Sequence, residues 1–106
     1  MNSHALAEER SLAIHGLIAG RLRADPGLAE LARERVAAWL AEGSVHRAYA
    51  EAWRDLLSGP FERLLDLLVD PGEAARALRQ CSPFAGIVDP RTRWRIWREV
   101  RERLGP

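Results

Sequence analysis

Three aspartate–proline pairs, Asp25-Pro26, Asp70-Pro71 and Asp89-Pro90, divide the chain into helix-sized segments. An aspartate just before a helix can accept a backbone N–H that has no partner within the first turn. A proline at the first helical position has no N–H to leave unpaired. Asp70 with Glu73 three residues later also fits a capping box. This punctuation predicts a series of separate helices.

Apolar residues between these points recur three or four residues apart, and no segment alternates strictly as a strand does. Gly43-Ser44 and Ser58-Gly59-Pro60 add two breaks. We therefore predict an all-α fold, a compact single domain over residues 1–106 built from an array of about six helices. The predicted helices are Ser3–Ala24, Pro26–Glu42, Val45–Leu57, Pro60–Val69, Pro71–Gln80 and Pro90–Leu104.

The apolar positions of the first five predicted helices define a predicted core. A chain of 106 residues with 47% hydrophobic and 29% charged residues can bury one such core without crosslinks. The predicted inward side chains are Leu6, Ile14, Leu17, Ile18, Leu22, Leu28, Leu31, the Arg35 stem or Val36, Trp39, Leu40, Ala48, Tyr49, Ala52, Trp53, Leu56, Phe61, Leu64, Leu65, Leu67, Leu68, Ala74, Ala75 and Leu78.

The single cysteine, Cys81, excludes an intrachain disulfide and fits a reducing compartment. Glu8, Glu9 and Arg10 precede any apolar run that could serve as a signal peptide, and no apolar stretch is long enough to span a bilayer. We expect a soluble, cytoplasmic protein.

Charge is distributed unevenly along the chain. Residues 1–90 hold ten arginines and thirteen acidic residues, a net charge of −3, whereas residues 91–106 hold six arginines and two glutamates, a net charge of +4. A basic terminal segment on an acidic body favours docking on that body or on an acidic protein partner. Nucleic acid is a further possible partner, although a pI near 8.0 is low for a nucleic-acid binder.

The last predicted helix has two faces when its residues are placed at helical spacing. The apolar face either packs on the fold or, if one tryptophan is exposed, forms the centre of an interface, where Trp and Arg are enriched. The basic face is either solvated or opposite a partner's anionic groups, because stacked arginines repel one another. The apolar face contains Trp94, Trp97, Val100, Arg101 and Leu104, the basic face contains Arg91, Arg95, Arg98 and Glu102, and the candidate partner-binding residues are Arg91, Trp94, Arg95, Trp97 and Arg98.

No pattern in the sequence indicates catalysis, a metal or a cofactor. His4 and His15 are about 16 Å apart along a helix, too far to share a metal, and His46 lies in another segment. Cys81 has no nucleophile signature. We predict a protein that is not an enzyme and has no cofactor or metal.

A helix-turn-helix around Gly43 is disfavoured by two features. Trp39 occupies the position, four residues before the turn glycine, where close helix crossing needs a small side chain. The following helix balances its two arginines with two acidic residues, which makes a poor recognition helix.

Several short patterns resemble a set of small, largely uncharacterised bacterial proteins with antitoxin-like character. The resemblance covers the C-terminal half and, more loosely, the opening helix. It implies a partner in a bacterial toxin–antitoxin module and no catalytic residues. The patterns are Trp-x-x-x-Leu-x-Gly-Pro at Trp53, Leu57, Gly59 and Pro60, Leu-Arg-Gln-x-Ser-Pro-Phe-Ala-Gly from Leu78 to Gly86, the pair Arg93-Trp94, and Ser11, Leu12 and His15.

Together these features favour a protein-binding regulator that neutralises a toxin through its basic C-terminal helix. A small nucleic-acid-binding regulator and a homo-oligomeric structural protein are the alternatives. In each case Ser82-Pro83-Phe84-Ala85-Gly86 is expected to be a rigid link that orients the helix.

Overall fold

The computed structural model describes residues 3–105, within which there are six α-helices and no strand. The predicted compact all-α domain is confirmed, while residues 1, 2 and 106 of its range lie outside the described residues. A radius of gyration of 13.9 Å is that of a compact domain of this length. The helices are α1 (Ser3–Ala24), α2 (Ala29–Glu42), α3 (Arg47–Ser58), α4 (Phe61–Val69), α5 (Glu73–Arg79) and α6 (Pro90–Leu104).

The aspartate–proline pairs begin helical structure in only two of three places. Asp89 caps α6 as predicted, accepting the Thr92 N–H at 3.0 Å. Asp25 caps a one-turn 3-10 helix instead, so α2 begins later than predicted. Asp70 accepts the N–H of Gly72 at 2.7 Å, and Gly72 is the N-cap of α5. The predicted capping box with Glu73 is therefore wrong, because the side chain closes its own turn first.

Helix α1 organises the packing. It contacts both α4 and α6, while α2 packs on α3. The hydrophobic core between these pairs includes Trp53 and Phe84, whose rings meet edge to face with centroids 6.0 Å apart. Trp53 also donates its indole N–H to the Leu78 carbonyl at 3.1 Å, so the large ring is buried with its polar atom satisfied.

Four predicted core residues are exposed instead. Leu31 and Tyr49 are 56% and 41% exposed, and Ala48 and Ala74 also face solvent. The reason is that the row of residues that each helix buries is narrower than its apolar residues suggested. The buried stripes are Ala29, Ala32 and Val36 in α2, Ala50, Trp53 and Leu57 in α3, and Ala75 and Arg79 in α5.

Two arginines hold the C-terminal ends of helices, where backbone carbonyls have no helical partner. Arg33 donates to the Leu57 carbonyl through Nε and Nη2 at 3.2 and 3.0 Å. Arg79, only 6% exposed, donates from Nη1 to the carbonyls of Leu67 and Asp70 at 3.2 and 2.6 Å. These contacts connect elements that the sequence separates.

The link between α5 and α6 is anchored rather than extended. Pro83 and Phe84 are buried, and Arg35 donates to the Pro83 carbonyl at 2.9 Å and to the Ala85 carbonyl. Gly86 has a φ of +90°, a conformation that favours glycine. The link therefore fixes where α6 begins.

Candidate functional site

The outer face of α6 carries the basic residues of the C-terminal segment. The helix docks on α1 through Val100, which is buried, and through half-buried Ile96 and Leu104. The opposite side of the helix is exposed, and about a third of the circumference, at the centre of this exposed side, is mostly basic. We call this the basic face: Arg91, Trp94, Arg95, Arg98, Arg101 and Glu102.

The alternative in which the tryptophan side of α6 packs on the fold is wrong for Trp94. Trp94 is 58% exposed, and the Arg98 guanidinium lies 4.7 Å above its ring centre. Trp97 lies at the boundary, 36% exposed, with the Arg10 guanidinium 5.1 Å from its ring centre. The helix is rotated relative to that orientation because Arg93 and Ile96, rather than Trp94 and Arg101, belong to the docked side.

The basic face carries one acidic residue, Glu102, which forms no ion pair with its arginines. The one ion pair that α6 makes within the described residues is Arg103 with Glu9, at 3.6 Å, on another side of the helix. Arg91, Arg95, Arg98 and Arg101 form none there. The face therefore combines an exposed tryptophan with four arginines that have no ion-pair partner among the described residues.

A buried histidine fastens the link to α1. His15 is 6% exposed, donates from Nδ1 to the Ser11 carbonyl at 2.7 Å, and accepts the Ser82 hydroxyl at Nε2, 2.8 Å away. Ser82 Oγ in turn accepts the Phe84 N–H at 3.1 Å. The chain of bonds suits a neutral imidazole with its proton on Nδ1. Because the Ser82 oxygen is held by two partners, we interpret the pair of His15 and Ser82 as a latch.

Stability should fall as the latch histidine is protonated. Burial lowers the pKa of His15 below its ordinary value, the bond to the Ser11 carbonyl offsets part of this, and the charge of Arg79 adds to the lowering. The unfolded chain, with a histidine pKa of about 6.5, then binds the proton first. We expect the contribution of neutral His15 to the free energy of unfolding to be complete above that pH. It should decrease as pH falls below it, by at most about 1.4 kcal/mol per pH unit, until the folded-state pKa is passed.

Urea denaturation at closely spaced pH values between neutral and mildly acidic conditions measures this slope. His15→Gln should remove the contribution of His15 to this slope. His4→Gln, at an exposed position, should leave that contribution in place. An unchanged slope in His15→Gln would contradict the latch as the titrating group.

A cavity of about 550 Å³ lies between α1, α6 and the link. Its apolar lining residues include Ile18, Phe84, Trp39 and Trp97, and three arginines line it as well. Among the described residues, the buried side-chain nitrogen and oxygen atoms without a hydrogen-bond partner are the Nε atoms of these same arginines: Arg10, Arg79 and Arg93.

The sequence alone did not indicate this cavity or its arginines. In the sequence, Arg10 is only a charge near the N-terminus, and His15 only a poor metal ligand. Helical spacing could have predicted that Arg93 faces the fold, since it lies on the same side of α6 as Ile96 and Val100. No sequence pattern brings Arg10, Arg79 and Arg93 together, because they belong to α1, α5 and α6.

Other chemistry near the site is limited. Burial raises the pKa of the Cys81 thiol, which disfavours the nucleophilic thiolate. Within residues 3–105, no three His, Cys, Asp or Glu side chains cluster as metal ligands would.

In the same part of the chain, no helix has the length and apolar character needed to cross a membrane.

Comparison of the chain with protein-family models, curated proteins and solved structures gives no match.

Proposed function

We propose that this protein is a non-enzymatic regulator that binds an acidic surface of a partner protein through the basic face of α6. The observation that carries the proposal is Trp94, exposed by 58% and surrounded by four arginines without ion pairs among the described residues. An interface uses an exposed tryptophan as an anchor, and tryptophan and arginine are enriched at interface centres.

Carboxylates are the groups that this face suits best. Guanidinium groups bind carboxylates through two parallel hydrogen bonds, and both partners are charged, which strengthens the bonds. Arg98 is already oriented by stacking on Trp94, so less side-chain freedom is lost when a partner docks. In the antitoxin-like role that the resemblance implies, this face would inhibit a toxin by covering acidic residues that the toxin needs for its own metal.

Charge reversal on the basic face tests the proposal. The partner is captured from the source cells on the tagged native chain, identified, and titrated calorimetrically against variants. We expect Arg95→Glu/Arg98→Glu to weaken binding by about a hundredfold, since like charges then face each other. Trp94→Ala should weaken it by about thirtyfold, as loss of a tryptophan anchor does.

Arg47→Glu/Arg63→Glu is the matched control. It changes the net charge equally at exposed positions of α3 and α4, where Arg47 makes only a local exposed pair with Glu51. The control should bind as the native chain does. Native-like binding by the α6 double variant, with circular dichroism showing both folded, would refute the proposal.

A nucleic-acid partner is the rival, favoured by the four uncompensated arginines alone. Neutralising four phosphates would reduce affinity roughly a hundredfold between about 50 and about 200 mM salt. Two results together would favour nucleic-acid binding over the proposed function. They are a gel shift at low salt with such a steep salt dependence, and the failure to capture a protein partner.

A further inference from the structure

We propose that the cavity between α1, α6 and the link binds a small amphipathic anion, a carboxylate or phosphate attached to an apolar body. This site is separate from the basic face and does not depend on the proposed function. Its volume of about 550 Å³ is typical of a small-molecule pocket.

The charge of the lining points to an anion. Three guanidinium groups, those of Arg10, Arg79 and Arg93, line the cavity. No aspartate or glutamate among the described residues lines it. Arg10 lies over the ring of Trp97, and neither it nor Arg93 forms an ion pair among the described residues. An anion in the cavity would therefore meet guanidinium groups from three different helices, and charge-assisted hydrogen bonds to guanidinium are strong.

The unpaired nitrogen atoms point the same way. Buried N–H groups are nearly always hydrogen-bonded in folded proteins, yet Nε of each of these arginines is buried without a partner among the described residues. Arg79 is the most telling case, because it is only 6% exposed. Its Nη1 is used by two carbonyls, whereas its Nε has no partner there.

Nearby acidic groups leave these arginines available. Glu8 and Asp70 are the acidic residues whose charges act on Arg79. Glu8 is ion-paired with Arg76, and the Asp70 carboxylate accepts the Gly72 N–H. His15, also in the lining, has both ring nitrogens engaged in the latch. The arginines are therefore the charged lining groups that are left to bind an anion.

The apolar part of the lining requires an apolar body on the ligand. Trp39 is half-buried and Trp97 is 36% exposed, so their rings offer the cavity apolar surface that a ligand can cover, whereas Ile18 and Phe84 line it but are almost fully buried. A free inorganic anion would leave this surface uncovered, whereas an aryl or alkyl group would bury it. An anionic head beside the guanidiniums with an apolar tail against the tryptophans matches both parts.

The test compares matched probes on the full chain by calorimetric titration. The acid 3-phenylpropionate and phenyl phosphate should bind saturably, and 3-phenylpropionamide should bind at least about tenfold more weakly because it lacks the charge. The ratio between the two acids distinguishes a carboxylate site from a phosphate site. The indole N–H signals of Trp39 and Trp97 should shift in NMR spectra during titration, while that of Trp94, on the basic face, should not.

Arginine variants locate the head group. Arg93→Gln and Arg10→Gln should each weaken 3-phenylpropionate about tenfold, because each removes one charge-assisted contact. Arg95→Gln removes the same charge from the exposed side of the same helix and should leave ligand binding unchanged. It should affect the partner protein instead, so the two proposals fail independently.

Three results would overturn the ligand site: no saturation at millimolar acid, equal binding of acid and amide, or equal losses in Arg93→Gln and Arg95→Gln. Inorganic phosphate binding as tightly as phenyl phosphate would show an adventitious ion only and also overturn it. If the arginine variants do not fold, the acid–amide comparison and the Trp97 shift in the native chain decide.

Discussion

Phe84→Ala is expected to lower the free energy of unfolding by about 3–5 kcal/mol, as measured by urea denaturation. Phe84 is 1% exposed and packs edge to face against Trp53, so its removal opens a cavity at the centre of the core. A domain of this size has a total stability of about 5–15 kcal/mol. One aromatic ring in the link therefore supports a large share of the fold.

Two substitutions calibrate this prediction. Phe84→Leu keeps most of the apolar volume and should cost under about 2 kcal/mol, because the site can repack around a smaller apolar group. Phe61→Ala removes the other phenylalanine ring from a half-buried position in α4 and should cost clearly less than Phe84→Ala. A loss for Phe84→Ala no greater than that for Phe61→Ala would show that the link is not a core element.

The Ser-Pro-Phe-Ala-Gly segment now has a physical meaning that its sequence alone did not supply. Ser82 takes part in the latch with His15, Pro83 and Phe84 are buried, and Gly86 adopts the positive φ that ends the turn. Arg35 secures the carbonyls between them. The sequence predicted a rigid link, and the contacts with α1 and α2 explain how it is held. The same contacts place one wall of the cavity.

Local chemistry was enough to predict the helices but not every helix start. The end of α1 and the start of α6 match the prediction, since an aspartate–proline pair marks each of these positions. Asp70 looked like an N-cap because sequence shows which side chain can accept a bond, and not which of several nearby N–H groups it will meet. Gly72 lies closer along the chain than Glu73, and the turn forms there.

The candidate site was only partly predictable for a different reason. The basic residues of α6 could be assigned to one face from helical spacing, but its rotation depends on what α1 offers. Helical spacing left open whether the tryptophan rings pack on the fold or are exposed, and Ile96 and Val100 fit against α1 whereas Trp94 does not. The cavity arginines were missed because contacts between α1, α5 and α6 leave no periodic trace in the sequence.

The second large expected effect on stability follows from which face of α6 packs on α1. Val100→Asp should lower the free energy of unfolding by at least about 3 kcal/mol, because it places a carboxylate in an apolar contact. Val100 is only 2% exposed, so the new charge would have no access to water. Trp94→Asp introduces the same side chain six residues earlier on the same helix, at a position that is 58% exposed. That variant should change stability by under about 0.5 kcal/mol, as surface substitutions usually do.

The pair of variants separates the two possible orientations of α6, since inward packing of Trp94 would make Trp94→Asp costly too. Urea denaturation gives the global loss, and amide hydrogen exchange shows whether α6 opens alone, because Val100→Asp should remove protection from its amides before those of α4. Comparable losses for both variants would mean that Trp94 also packs on the fold. Trp94 could then not act as the exposed anchor of the basic face, so the stability measurement bears directly on the proposed function.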